Sequence, residues 1–241
     1  MRQMIGAGCV VLLTMFVAGC TPAPLAPRTS YNPTTHPMKS VVLLTPFAPR
    51  EPSLVAPPPV ATAPLFLLGV VGGLAAGAAD QSILKDQEQR FDAVLDKNNF
   101  QPRKVLIDAI TNRLQAKGYK VNYVQAVRVD NDFLGSYPFD APAGCDGYLD
   151  VVLVGVGYFK PSLGSPYQPI IEAKFKYVSF HDNQTLAQGS FGYSSARGDT
   201  HPPLWFGYWD YAGFATNPAT AITGITKGLN EAADAIADGL N

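Results

Sequence analysis

Residues 148–159 limit the folds open to this chain more than any other segment. They read Tyr-Leu-Asp-Val-Val-Leu-Val-Gly-Val-Gly-Tyr-Phe, with apolar side chains on both faces of an extended strand. A strand that is apolar on both faces is typical of the centre of a covered sheet. Pro161 and Pro166 end the run, because proline lacks the backbone N–H that a central strand donates. We therefore expect a sheet built around this segment.

Four more segments have strand patterns, and they are residues 39–47, 119–129, 170–180 and 185–194. The first is a short apolar run that Pro46 stops, whereas the others alternate apolar and polar side chains. The polar turn at residues 181–184 joins the last two into a predicted hairpin. We expect residues 48–64 to be loop, because they include three consecutive prolines.

Three segments carry apolar side chains at helical spacing, and they are residues 81–97, 103–117 and the stretch that begins at Pro218. Asp80 and Asn217 are predicted N-caps, Pro102 is a first-turn proline, and Gly118 is a predicted C-cap. The last helix has a continuous apolar stripe, formed by Ile222, Ile225, Leu229, Ala232, Ile236 and Leu240.

This order of elements predicts an α+β fold. We expect a mixed or antiparallel sheet of about five strands with helices packed on one face. Residues 39–241 are enough to bury one sizeable core, so they are predicted to form a single α+β domain.

The N-terminal residues have the layout of a bacterial lipoprotein signal. Arg2 precedes an apolar stretch at residues 5–18, which ends in the box Val17-Ala18-Gly19-Cys20. The resemblance to the lipobox implies that residues 1–19 are a signal peptide and that Cys20 becomes the N-terminus, acylated with chains such as palmitate. The alternative is an ordinary secretory signal, or an uncleaved helix, in which Cys20 is incidental.

The residue after the box predicts the destination. In the sorting rule of such lipoproteins an aspartate there retains the protein on the inner membrane, so Thr21 indicates the outer membrane, with the domain facing the periplasm. Residues 20–38 are a predicted tether, because their many prolines favour extended, solvated backbone.

Composition argues against nucleic acid as a partner. The formal net charge is −1, with 18 basic and 19 acidic residues and no basic stripe. Only 15% of the residues are charged, which is low for a globular protein and suits a surface that meets other proteins or a membrane.

No catalytic residue, cofactor or metal site is predicted. The histidines, His36, His181 and His201, lack metal-ligand spacing. Cys145 lies beside Asp146, which disfavours a thiolate, so we expect an inert or buried thiol. Asp140, Asp146 and Asp150 are the candidates for a carboxylate cluster, but Asp140 and Asp146 are predicted to be solvated loop residues. We therefore expect a protein that is not an enzyme.

Residues 65–79 form an uncharged apolar segment in which Gly69, Gly73 and Gly77 recur at every fourth position. On a helix these glycines share a face and let another backbone approach closely. The run is shorter than the ~20 residues that cross a bilayer. Three interpretations stay open: a core helix, a membrane-inserting or oligomer-forming segment, and a glycine loop.

Residues 201–214 contain both tryptophans of the chain and are the predicted interaction surface. Its candidate contact residues are Trp205, Phe206, Tyr208, Trp209 and Tyr211. Such side chains suit protein interfaces, glycans and membrane headgroup zones, because they bury a large area and keep one polar atom wet. The alternative is a lid that folds over the sheet and buries its own rings.

The order of three segments resembles that of a known domain. They are residues 41–47, the helix end and strand at 114–121, and the strand at 147–155. This order is similar to that of the periplasmic α+β domain of outer-membrane lipoproteins related to the curli-secretion channel and to activators of penicillin-binding proteins. The similarity covers residues 39–47 and 101–240. It leaves pore formation and synthase activation both open, and it implies no site residue.

Two functions are compatible with these features. The first is a non-catalytic envelope lipoprotein, anchored to the membrane through Cys20, whose α+β domain binds other envelope proteins or takes part in envelope assembly. The alternative is a homo-oligomeric, membrane-associated channel or secretion component that uses the glycine-spaced segment 65–79.

Overall fold

A mixed six-stranded sheet organises the domain. The computed structural model describes residues 29–49, 53–55, 78–128, 131–137, 144–162, 164–195 and 199–240. The strands are β1 (Ser40–Leu44), β2 (Ser53–Val55), β3 (Lys120–Val124), β4 (Gly147–Phe159), β5 (Gln168–Ser179) and β6 (Thr185–Tyr193). Their order across the sheet is β3-β1-β4-β5-β6, and β2 pairs with β4.

The doubly apolar strand lies at the centre, as predicted from its sequence. β4 pairs antiparallel with β5 along most of its length, and β5 pairs antiparallel with β6. On its other side β4 pairs in parallel with β1 near Gly147 and with β2 near Phe159. The mixed α+β sheet expected from the sequence is therefore confirmed.

Helices cover one face of this sheet. They are α1 (Ala78–Lys97), α2 (Pro102–Ala116), the short α3 (Ala212–Thr216) and α4 (Pro218–Asp238). Pro102 occupies the first turn of α2, and Gly118, at φ +88°, follows its C-terminus, both as predicted. α1 begins at Ala78, so Asp80 lies inside its first turn and not at the predicted N-cap position. Asn217 stands at the N-cap of α4 but makes no capping side-chain hydrogen bond.

Helix α4 is the main partner of the sheet. Its predicted stripe is buried, except for Ile222, which is partly buried against the core. Two tyrosines of the sheet donate hydrogen bonds to its carbonyls, Tyr177 to Ile236 at 3.0 Å and Tyr158 to Ala221 at 3.4 Å. Gly228 permits the close approach, since a Cβ there would lie 2.5 Å from Cδ1 of Tyr193.

We expect Gly228→Ala to lower the free energy of unfolding by about 1–2 kcal/mol. Alanine gains ~1 kcal/mol of helix propensity, but over-packing a rigid core costs about 1–3 kcal/mol or more. The added methyl would also lie 2.6 Å from Cγ1 of Ile171. Urea unfolding of the full chain measures the difference. Thr223→Ala, at an exposed position of the same helix, is the matched control and should change stability by less than ~0.5 kcal/mol. Equal stability of the two variants would contradict this packing.

The second face of the sheet is covered by the chain that follows β3. Val42, Leu44, Tyr148 and Val178 form a small cluster there, and Ala126, Leu134 and Tyr137 from the covering chain pack on it. β3 ends at Val124, short of the predicted 119–129, because the chain leaves the edge at this point and crosses the sheet.

Asp150 of β4 holds this crossing chain in place. Arg128 donates to one carboxylate oxygen, and the Leu134 N–H and Tyr137 hydroxyl donate to the other at 2.9 Å. The Arg128 and Asp150 side chains are 5% and 0% exposed, so this is a buried ion pair. Arg128 also donates to the Thr45 carbonyl at 2.8 Å.

The folded domain extends back to Thr29, into the predicted tether. Thr29 forms an antiparallel bridge with Gln188 on the outer edge of β6. Tyr31 and Met38 are buried in the main core. The structure also places β2 within residues 48–64, which the sequence predicts to be loop. The glycines of the segment 65–79 at Gly69, Gly73 and Gly77 lie outside the described residues, as do Cys20 and the signal peptide.

Candidate interaction surface

Residues 201–214 connect β6 to α4 at the end of the sheet where β4 finishes and β5 begins. Tyr208 pairs with Tyr167 in an antiparallel bridge, with N–O distances of 2.6 and 2.9 Å. A 3₁₀ turn, Leu204–Phe206, precedes the bridge, and α3 follows it. We call this end of the sheet the aromatic end.

A cluster of buried rings forms the base of this connection. Phe214 is fully buried and contacts the rings of Tyr208, Phe91 and Tyr158, with centroids 4.3, 5.0 and 4.9 Å away. Gly213 packs against Tyr208 so closely that a Cβ would lie 2.5 Å from the Tyr208 ring. Burial raises the pKa of the Tyr158 and Tyr208 phenols above the ordinary value for tyrosine.

Three apolar side chains of the same connection point into solvent. Leu204 and Trp205 are each 75% exposed, and Trp209 is 71% exposed. These three residues are defined here as the exposed aromatic surface. Such accumulation of large apolar groups within a six-residue stretch on a rigid base is typical of a contact site.

Both sequence interpretations of residues 201–214 therefore describe part of the segment. Phe206 and Tyr208 are buried and do not belong to the exposed surface that the sequence predicted, because they pack beneath it. Tyr211 is partly buried against the core. Leu204, absent from the predicted contact residues, belongs to the exposed aromatic surface.

Lys160 adds a cation beside this surface. Its ammonium donates to the Trp209 carbonyl at 3.5 Å and lies 5.2 Å from the centroid of the Tyr167 ring. This lysine is not among the contact residues predicted from the sequence. Its position directly after the central strand, next to Pro161, was the available signal.

The side chains considered for chemistry have structural contacts. Cys145 is buried, and its sulfur accepts from Asn122 at 3.2 Å and from Ser40 at 3.5 Å. Asp146 lies in the loop before β4 and is half-buried, and its carboxylate accepts the N–H groups of Lys39 and Ser40 at 2.7 and 2.8 Å. His201 bonds the Ser194 carbonyl at 2.8 Å.

Asp140 lies outside the described residues. Within the described ranges, no three His, Cys, Asp or Glu side chains are arranged to hold a metal ion. In the same part of the chain, no helix has both the length and the apolar character needed to cross a membrane.

No family model matches this sequence, and no curated protein matches it either. Among solved structures, it is similar to the PelC dodecamer from Paraburkholderia phytofirmans, at 8% identity and a TM-score of 0.38, covering 89% of this chain and 97% of that one. It is also similar to protein XCC0632 from Xanthomonas campestris, of family model DUF330, at 14% identity and a TM-score of 0.42, covering 90% and 87%. At these scores the similarities support no statement about function or assembly, and the lipoprotein resemblance stays a prediction.

Proposed function

We propose that this chain is a non-catalytic lipoprotein of the bacterial cell envelope. An acylated Cys20 anchors it to the outer membrane, and its α+β domain faces the periplasm and offers a binding surface for envelope assembly. The observation that carries this proposal is the exposed aromatic surface, which a rigid base holds in solvent at one end of the sheet.

The mounting of this surface supports a role in binding. Phe214 and the rings around it fix the connecting segment, so Trp205 and Trp209 lose little conformational entropy when a partner covers them. Tryptophan is also among the residues that contribute most to binding energy at interfaces.

The contacts of the polar groups support a non-catalytic role. Asp146 fixes the start of β1, Asp150 fixes the crossing chain, and Cys145 is packed between strands. Each of these three side chains thus stabilises the fold through its hydrogen bonds. These bonds would have to break before the side chain could take part in a reaction.

Labelling of cells with a fatty-acid analogue tests the anchor. We expect the wild-type chain to carry the label and to sediment with membranes, and Cys20→Ala to lose the label and leave the membrane fraction. The acyl chains on the cysteine contribute about 0.8 kcal/mol of membrane-binding free energy per buried methylene, so their loss abolishes stable anchoring.

Cys145→Ala is the matched control, because it removes the buried thiol and leaves Cys20 in place. We expect it to keep the label and its membrane fraction. A labelled Cys20→Ala chain, or an unlabelled wild type, would contradict the proposed function.

A further inference from the structure

We propose that a cavity between the end of α1 and the start of α2 binds a short peptide that has free termini and apolar side chains. We call it the helix cavity. Carboxylates of α1 bind the ammonium of the peptide, cations of α2 bind its carboxylate, and an apolar base receives its side chains. The helix cavity shares no lining residue with the exposed aromatic surface, so this inference goes beyond the proposed function and does not depend on it.

The helix cavity has the size and the base of a ligand site. Its volume is about 580 Å³, and small-molecule sites measure roughly 300–1,000 Å³. Leu95 and Val156 are buried in the main core and form part of the base, and Phe100 and Ile107 are partly buried against the same core. These four side chains give a ligand an apolar surface that is already held in place by the fold.

A tight connection fixes the two helices around the helix cavity. The Phe100 N–H donates to the Leu95 carbonyl at 3.0 Å, and the Asn99 N–H donates to the Asp96 carbonyl at 2.9 Å. α2 then begins at Pro102. Because these bonds set where one helix ends and the next begins, little ordering is needed when a ligand binds.

The wall that α1 contributes is negative. Asp92 and Asp96 are one turn apart on this helix, so they share a face, and both line the helix cavity. Like charges at this spacing destabilise a helix, and Asp96 also lies near the C-terminal end, where the helix dipole is negative. Helix stability therefore does not account for this pair, whereas an ammonium ion beside it would be attracted by both carboxylates.

The wall that α2 contributes is positive. Arg103 and Lys104 line the helix cavity from the first turn of α2, which contains no acidic residue. Lys104 pairs with Asp108 at 2.6 Å along the helix. Arg103 uses one of its five N–H donors for the Ala48 carbonyl, at 3.4 Å. Its planar guanidinium can thus still bind a carboxylate through two parallel hydrogen bonds.

Two walls of opposite sign around an apolar base select a zwitterion with an apolar body. A ligand with a single charge would be repelled by one of the walls. A short peptide carries an ammonium at one end, a carboxylate at the other and side chains between them. A zwitterionic lipid has both charges in its headgroup, but its two long acyl chains exceed the volume of the helix cavity. The peptide is therefore the occupant that fits the charges and the size together.

Calorimetric titration of the full chain, extracted from membranes in detergent, tests this inference with the dipeptide leucyl-leucine as the probe. We expect a dissociation constant of about 0.1–1 mM, as for a small ligand of ordinary efficiency. Glycyl-glycine should bind at least about tenfold more weakly, because it leaves the apolar base uncovered. N-acetylated and C-amidated leucyl-leucine should each bind about five- to tenfold more weakly, because each leaves one charged wall without its counter-ion.

Two variants assign the walls. Asp96→Asn should reduce the penalty of acetylation at least about twofold and leave the penalty of amidation unchanged, and Arg103→Gln should do the reverse. Both side chains are exposed, so we expect both variants to fold. Asp86→Asn is the matched control, because Asp86 is an exposed carboxylate of the same helix outside the helix cavity. It should change neither penalty.

Three outcomes would overturn the inference. The first is no heat of binding with leucyl-leucine up to about 10 mM, ten times the weakest constant expected. The second is equal binding of the free and capped dipeptides, which would show that the charged walls are not used. The third is binding of dihexanoylphosphatidylethanolamine without binding of leucyl-leucine, which would make the occupant a lipid. None of these outcomes bears on the Cys20 anchor or on the exposed aromatic surface.

Discussion

Replacement of Asp150 with alanine is expected to lower the free energy of unfolding by about 3–5 kcal/mol. The variant leaves the Arg128 guanidinium buried without its carboxylate partner. It also removes the acceptor of the Leu134 N–H and the Tyr137 hydroxyl, which fix the chain crossing the second face of the sheet. Urea unfolding, followed by circular dichroism, measures the change.

A surface ion pair provides the comparison for Asp150. Arg113 and Asp234 pair between α2 and α4, with side chains 41% and 51% exposed. Because solvent screens such a pair, we expect Asp234→Ala to cost less than about 1 kcal/mol. A double variant, Arg128→Met with Asp150→Leu, should be less destabilised than the sum of its single changes, since neither charge is then left alone. If Asp150→Ala is no more harmful than Asp234→Ala, the buried network does not hold the crossing chain.

Replacement of Phe214 with alanine is expected to have an effect of similar size, about 3–5 kcal/mol. Phe214 is fully buried beneath the exposed aromatic surface, with Phe91, Tyr158 and Tyr208 around it. In a domain of this length, we expect the melting temperature to fall by about 10 °C. We also expect a change in tryptophan emission, because the base that orients Trp209 is lost.

Phe180→Ala is the control for this change. Phe180 is partly exposed and tilts against the ring of Tyr148. Its removal creates less buried cavity, so we expect a loss of roughly 1 kcal/mol and an unchanged tryptophan emission. Equal losses for the two phenylalanines would contradict the role of Phe214 as the base of the surface.

The centre of the fold could be predicted because its signals are local. β4 is apolar on both faces, and α4 carries an apolar stripe at helical spacing. The burial of each element can therefore be inferred from its own residues. β2 could not be predicted, because three residues between prolines become a strand only through their pairing with β4. The end of β3 depends on tertiary contacts in the same way, because the chain leaves the sheet there and Arg128 pairs with Asp150.

The sequence contains a signal for the buried ion pair. A single carboxylate inside a doubly apolar strand requires a buried partner, because an unpaired charge is costly to bury. Asp150 therefore predicts that a cationic side chain from elsewhere in the chain is buried beside it. That this cation is Arg128 depends on the path of the crossing chain, which the sequence does not state.

The candidate surface was predicted as a segment but not in its detail. Aromatic content identified residues 201–214, yet composition does not say which rings turn inward. That division follows from the bridge of Tyr208 to Tyr167 and from the 3₁₀ turn that presents Trp205. Lys160 joins the surface only because the end of β4 lies beside it.

Mass spectrometry of the N-terminal peptide, from protein purified out of bacterial membranes, tests the central claim most directly. The account predicts a peptide that begins at Cys20 and carries the mass of a diacylglyceryl group with its fatty acids. Thr21 and the proline-rich residues should follow it unmodified. A chain that still contains residues 1–19, or that begins at an unmodified residue, would contradict the account.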